Sequence, residues 1–139
     1  MTAMGKRPAD SVKSLTAEAV GAALADAGIG TDRIQAAWFS NTRQPMLEGQ
    51  NTIRGQIALR EAGIEGIAIA NVENACASGS TALWQAATAI RAGLYETILV
   101  VGAEKMYFPD RPDAVAAAFM GGTDIHRIDD IHATVSGLA

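Results

Sequence analysis

The chain has a single cysteine, Cys76, among 139 residues. One thiol cannot close an intrachain disulfide, so no disulfide framework supports the fold and the chain suits a reducing compartment, the cytoplasm. Histidine is almost as scarce. Only His126 and His132 occur, and their spacing does not set them on one face of a helix. With one cysteine they match no metal-ligand pattern, so neither a metal nor a cofactor is expected. Each histidine reads as an exposed polar residue. Long apolar runs are also missing: the longest candidate, residues 97–103, is closed by Glu96 and Glu104 and falls well short of the roughly 20 residues of a membrane span. The N-terminus through Arg7 carries charges with no apolar signal region behind them. Basic residues are outnumbered, 11 Lys and Arg against 15 Asp and Glu, for a net charge of −4. Nucleic acid is a poor partner for that balance.

What is present is a globular composition. Hydrophobic residues make up 49%, charged residues 19% and aromatics 5%, with 14 glycines, which suits one tightly packed α/β domain with one core. Apolar residues recur at helical spacing over 14–27, with Ser14 or Thr16 as the cap and Gly28 as the stop. Residues 34–40 read as a buried strand, 41–49 as a loop with Pro45, and 50–62 as a second helix. Residues 67–72 form a second strand, 78–92 a helix almost without charge and therefore buried on most sides, and 97–103 the third strand. Beyond Met106 lies a loop with two prolines, then a turn or two of helix over 114–120 stopped by Gly121-Gly122. Residues 124–139 have no firm reading. The alternation favours a parallel or mixed sheet with helices on its faces. Trp38 and Trp84 each fall in an apolar element and read as core.

Cys76 sits where the apolar run 66–72 gives way to the helix beginning near Ser78. A thiol at a helix start points toward unpaired N–H groups and the positive end of the helix dipole, both of which favour thiolate. Its neighbours Ala75, Ala77, Ser78, Gly79 and Ser80 are small and leave room for a substrate. Two roles are open to it: a nucleophile, or a small buried hydrophobe. Asn74 reads as a cap for the helix start. Glu104-Lys105 reads as a neighbouring ion pair, with a pocket wall as the alternative.

The segment Asn74-Ala75-Cys76-Ala77-Ser78-Gly79-Ser80-Thr81-Ala82-Leu83, followed by Val101-Gly102-Ala103-Glu104-Lys105-Met106, resembles the nucleophile segment and following strand of the thiolases, closest to the sterol-carrier-protein type of acetyl-CoA acetyltransferase. Gly5-Lys6-Arg7-Pro8 and the helix ending at Ala27-Gly28-Ile29 are similar to that subgroup's opening segment. The likeness runs from about Gly5 to about Gly122. It implies a thiolase-like N-terminal half with a mixed, mostly parallel sheet and helices on both faces. It also implies acyl-CoA as substrate and Cys76 as the residue that takes the acyl group. Arg43, Arg54, Arg60 and Arg111 are the basic residues available to CoA phosphates, although isolated arginines usually sit in solvent.

The same resemblance sets out what is missing. Thiolases take their general base from a Gly-His-Pro-type segment in a second half, with a further cysteine or histidine and an Asn-Glu segment, and none of these occurs in this sequence. By resemblance the family's first strand lies between 34–40 and 97–103, so its loss would leave two sheet pieces with bare edges. The expectation is a truncated reading frame or one piece of a split enzyme, complemented by another thiolase chain. By the same analogy 67–72 is an edge strand that pairs with its counterpart in a homodimer. The alternative function is a catalytically silent subunit that binds acyl-CoA, lipid or a partner protein.

Overall fold

The computed structural model describes residues 1–3 and 5–130, so His132 lies outside the described residues. Ser11 opens the first helix: its Oγ accepts from Ser14 N at 3.2 Å while Ser14 Oγ accepts from Ser11 N at 2.9 Å. This capping box satisfies two donors at once and starts α1 at Val12–Ala27, earlier than the spacing indicated. Ser14 is therefore one half of the cap, and Thr16 is no cap at all. Its hydroxyl is buried within the helix and donates to Val12 O at 2.7 Å. Gly28 ends α1 in the left-handed region at φ 66°, as expected of a glycine stop.

β1 (Ala36–Ser40), β2 (Ala68–Val72) and β3 (Ile98–Gly102) make one parallel sheet in the order β2-β1-β3. The fold is thus α/β, and the expected gap between the first and third strands does not form. Ala36 lies opposite both Ala68 and Ile98, and Ser40 opposite both Val72 and Gly102. Direct pairing satisfies the backbone groups that a vacant strand position would have left bare. The ladder continues past the strand ends through Gln35 N to Thr97 O at 3.1 Å and Ala103 N to Ser40 O at 3.3 Å. Among the described residues the bare edges are the outer sides of β2 and β3.

The segment 41–49 holds a short helix, α2 (Gln44–Glu48), in which Pro45 occupies the first turn where no N–H is needed. α3 (Arg54–Glu61) begins later than the apolar spacing suggested. Ile53 sits at φ 48° immediately before it, a left-handed conformation that a helix cannot pass through. α4 (Ser78–Arg91) and α5 (Pro112–Met120) complete the order.

α1 and α3 pack together on one sheet face. Val12, Val20, Ala58 and Leu59 meet Ala37, Phe39, Leu99 and Val101 there, all buried. Alternation along β1 sends Ala36, Trp38 and Ser40 to the other face, which α4 covers. α4 is not buried on most sides. Its inward stripe is Ser78, Ala82, Ala86 and Ala89, while Leu83 and Trp84 are 61% and 66% exposed. The alanines let the helix lie close to the sheet, and that choice turns the larger apolar residues outward. Trp84 is consequently not core, and Trp38 is half-buried, edge-on to Tyr95 at 6.2 Å.

Gly55 is where α3 approaches the sheet most closely, because a Cβ there would lie 2.6 Å from Phe39 Cβ and 3.0 Å from Asn71 Oδ1. Neither neighbour can retreat, since one stands on β1 and the other accepts from Gly55 N at 2.6 Å. Gly55→Ala is expected to destabilise the fold by about 1–3 kcal/mol through overpacking. Urea unfolding measures it.

Candidate active site

In a parallel sheet all strands deliver their carboxyl ends to one side, and the segments that follow them gather there. After β1 come Asn41, Thr42 and Arg43; after β2 comes the turn through Cys76; after β3 come Glu104 and Met106. They border an open cavity of about 180 Å³ whose lining includes Thr42, Arg43, Cys76, Glu104, Met106 and Phe119. Beside it, Ser40, Asn41, Cys76, Ser78 and Glu104 line a second recess of about 290 Å³.

The turn that carries Cys76 is short, and hydrogen bonds hold the residues on both sides of it. Glu73 Oε1 accepts from Ala75 N at 2.7 Å, and Ala77 N donates to Asn74 O at 2.9 Å. Ser78 Oγ accepts from Asn74 N at 2.8 Å and donates to Ala75 O at 2.7 Å. Ala75 itself stands at φ 45°. A non-glycine residue in that region is uncommon and costs about 1–3 kcal/mol, which the surrounding bonds must offset. Cys76 follows within a tight turn, Ala75–Ala77, that leads directly into α4, and its side chain is exposed. The role of buried hydrophobe is thereby removed. Asn74 holds the position before the turn, but its side chain does not cap: Nδ2 donates to Thr81 Oγ1 at 2.9 Å, one helical turn on.

Glu104 and Lys105 do not pair with each other. As successive residues on an extended segment they point to opposite sides. Glu104 accepts from Asn41 Nδ2, Thr42 N and Arg43 N at 2.8, 2.8 and 2.9 Å, and so forms part of the cavity wall. Lys105 is only 5% exposed and donates to the carbonyls of Arg7 and Pro8, with its ammonium 5.6 Å from the Phe108 ring. The opening segment is thus tied to the end of β3. Arg7 in turn holds the Asp10 carboxyl below the usual carboxylate range, helped by the Ser14 hydroxyl.

Of the four arginines, Arg43 reaches the Cys76 cavity, where it donates to Ala118 O at 2.6 Å and lies over Phe119 at 5.4 Å. Arg54 donates to Asn41 O at 3.0 Å, and Arg111 to Leu47 O at 3.0 Å over Phe108. Arg60 alone stands largely in solvent, paired with Glu65 at 3.5 Å. His126 is exposed, its N–H donating to Asp124 Oδ1 at 3.0 Å, and it does not line the cavity. Among the described residues no three His, Cys, Asp or Glu side chains gather as a metal-ligand set, and no helix is long and apolar enough to cross a membrane. Sequence reasoning missed Asn41 and Thr42. Their only signal was a pair of short polar residues directly after a strand.

Residues 1–130 match the thiolase N-terminal domain model. The chain is 39% identical over 107 residues to an acetyl-CoA acetyltransferase of Methanocaldococcus jannaschii, covering 77% of this chain and 26% of that protein. It is 38% identical over 92 residues to sterol carrier protein 2 of Bos taurus, covering 66% and 16%. It is also 38% identical over 102 residues to non-specific lipid-transfer protein-like 2 of Caenorhabditis elegans, covering 73% and 23%. The matched region thus spans about a quarter or less of the length of these relatives.

Because Lys105 satisfies two backbone carbonyls from a buried position, Lys105→Ala should cost about 1–3 kcal/mol. Limited trypsin digestion checks where the loss falls: cleavage after Lys6 is expected to accelerate well before cleavage elsewhere.

Proposed function

Since the chain belongs to the thiolase family through its N-terminal domain, we propose that it takes part in acyl transfer from acyl-CoA, with Cys76 as the acyl acceptor. The observation that carries this reading is the exposed thiol held in a left-handed turn at the mouth of a cavity, where three parallel strands end. In the proposed step the Cys76 thiolate attacks the thioester carbonyl of acyl-CoA. The bond from that carbonyl carbon to the CoA sulfur then breaks, the acyl group remains on Cys76 Sγ, and CoA leaves as a thiolate that takes up a proton. Negative charge gathers on the carbonyl oxygen in between, and backbone N–H groups at the turn and the start of α4 are suited to receive it. Exchange of one thioester for another is nearly isoenergetic, which is why sulfur serves.

A second reading is favoured by one further observation. Among the described residues no histidine lines the cavity, and the Glu104 carboxylate that does is engaged by three hydrogen bonds to residues 41–43. We propose accordingly that residues 1–139 alone accept an acyl group without turning over, and that a base comes from outside them. A silent subunit that only binds acyl-CoA, lipid or a partner protein is the alternative.

Intact-mass measurement after incubation with acetyl-CoA distinguishes them. An acetyl adduct on Cys76, abolished by Cys76→Ala, is expected. Binding of acetyl-CoA with no adduct would establish the silent subunit.

We further propose that the outer edge of β2 pairs with its counterpart in a second copy, placing two Cys76 turns near one interface. An exposed edge presents a row of unpaired N–H and C=O groups that such pairing satisfies. Sedimentation velocity should give a dimer at micromolar concentration; a monomer throughout the accessible range overturns this.

A further inference from the structure

We propose that Glu104 is a positioning residue for Cys76, acting through Thr42; the inference rests on the reading of Cys76 as the acyl acceptor. Glu104 stands just past β3, half-buried, and its two oxygens gather three donors from consecutive residues after β1. Oε1 accepts from Asn41 Nδ2 at 2.8 Å and from Arg43 N at 2.9 Å, and Oε2 accepts from Thr42 N at 2.8 Å. Hydrogen bonds to an ionised acceptor are short and strong, so this carboxylate fixes the 41–43 backbone.

Thr42 carries the constraint across the cavity. While its N–H is held by Glu104, its Oγ1 lies 3.0 Å from Ser78 Oγ and 3.2 Å from Ala75 O. Ala75 is the left-handed residue directly before Cys76, and Ser78 Oγ is the group that bridges Asn74 N to Ala75 O. A conformation of that kind persists only where several contacts over-determine it. Thr42 supplies a contact that comes from another strand, and Glu104 holds Thr42 in place to supply it. The carboxylate is therefore linked to the thiol's backbone by a single side chain. Asn41 strengthens the near end, since its Oδ1 accepts from Gln44 N at 3.3 Å and Arg54 Nη1 at 3.1 Å. Glu104 acts by geometry, through the three donors that it gathers.

The test is single-turnover acetylation of Cys76 by acetyl-CoA, followed by intact mass, in the unaltered chain, Glu104→Gln, Thr42→Val, Thr42→Ser and the Gln/Val double variant. Glu104→Gln and Thr42→Val should each lower the limiting rate about tenfold, with full amplitude and an unchanged half-saturating acetyl-CoA concentration, because misplacement slows attack without weakening binding. The double variant should be no slower than the slower single, since both break one chain of contacts. Thr42→Ser, which keeps the hydroxyl, should react at the original rate. Additive losses, an unchanged limiting rate in either single variant, or an effect confined to half-saturation overturns the proposal. Should Glu104→Gln fail to fold, the contrast between Thr42→Val and Thr42→Ser decides the matter alone. Should the unaltered chain take no acetyl group, the acyl-acceptor reading fails, and alkylation of Cys76 by iodoacetamide is read in the same variants. The same non-additive pattern there supports the positioning role, and its absence overturns it.

Discussion

The backbone of Ala36–Ser40 is paired on both sides, to Ala68–Val72 and to Ile98–Gly102 in matching register, and the remaining architecture follows from that double ladder. Buried N–H and C=O groups must find partners, and β1, between its two neighbours, finds them along its whole length. Because both pairings are parallel, the chain must cross over between β1 and β2 and between β2 and β3, and those crossovers carry α2, α3 and α4. α1 and α3 cover the face bearing Ala37 and Phe39, and α4 covers the face bearing Ala36 and Ser40. The same parallelism brings three strand ends to one rim.

At that rim the polar residues do structural work with chemical consequences. The turn through Cys76 bends through a left-handed alanine and passes directly into a helix, so the thiol is presented outward rather than folded back into the core. Small residues alone would leave such a turn mobile. Here the side chains of Glu73, Ser78 and Thr42 bond to its backbone from three directions. Glu104 and Lys105 divide the labour at the end of β3: one organises the rim, and the other ties down the opening segment. Adjacent opposite charges thus serve two separate networks.

Much of this was legible in the sequence, and the reasons differ residue by residue. The order of helices and strands follows from apolar periodicity, and Gly28 stops α1 because a left-handed residue without a Cβ costs least there. Cys76 stood out because it is single and lies between a strand-like run and a helix-like one. What could not be read was whatever depends on long-range contact. Asn41 and Glu104 are 63 residues apart, and nothing local marks them as partners. Lys105 is buried because two distant carbonyls receive it, whereas charge alone would place it in water. The exposed side of α4 was not legible because the expectation rested on its lack of charge, and a helix without charge need not be covered all round. In contact with a flat sheet, alanine is the residue that lets the helix approach. The direct pairing of β1 with β3 was likewise invisible, since strand order is a property of the assembled sheet.

The outward apolar residues of α4 also bear on heat capacity. Burial of apolar surface is what gives unfolding its large positive heat-capacity change, and hence the curvature of stability with temperature. Leu83, Trp84 and Ile90 are 61%, 66% and 44% exposed, so they are already hydrated in the native chain and contribute little when it unfolds. Stability of the isolated chain should therefore vary with temperature along a flatter curve than its apolar content implies. A surface that covered this ridge would steepen that curve without altering a single contact inside the domain.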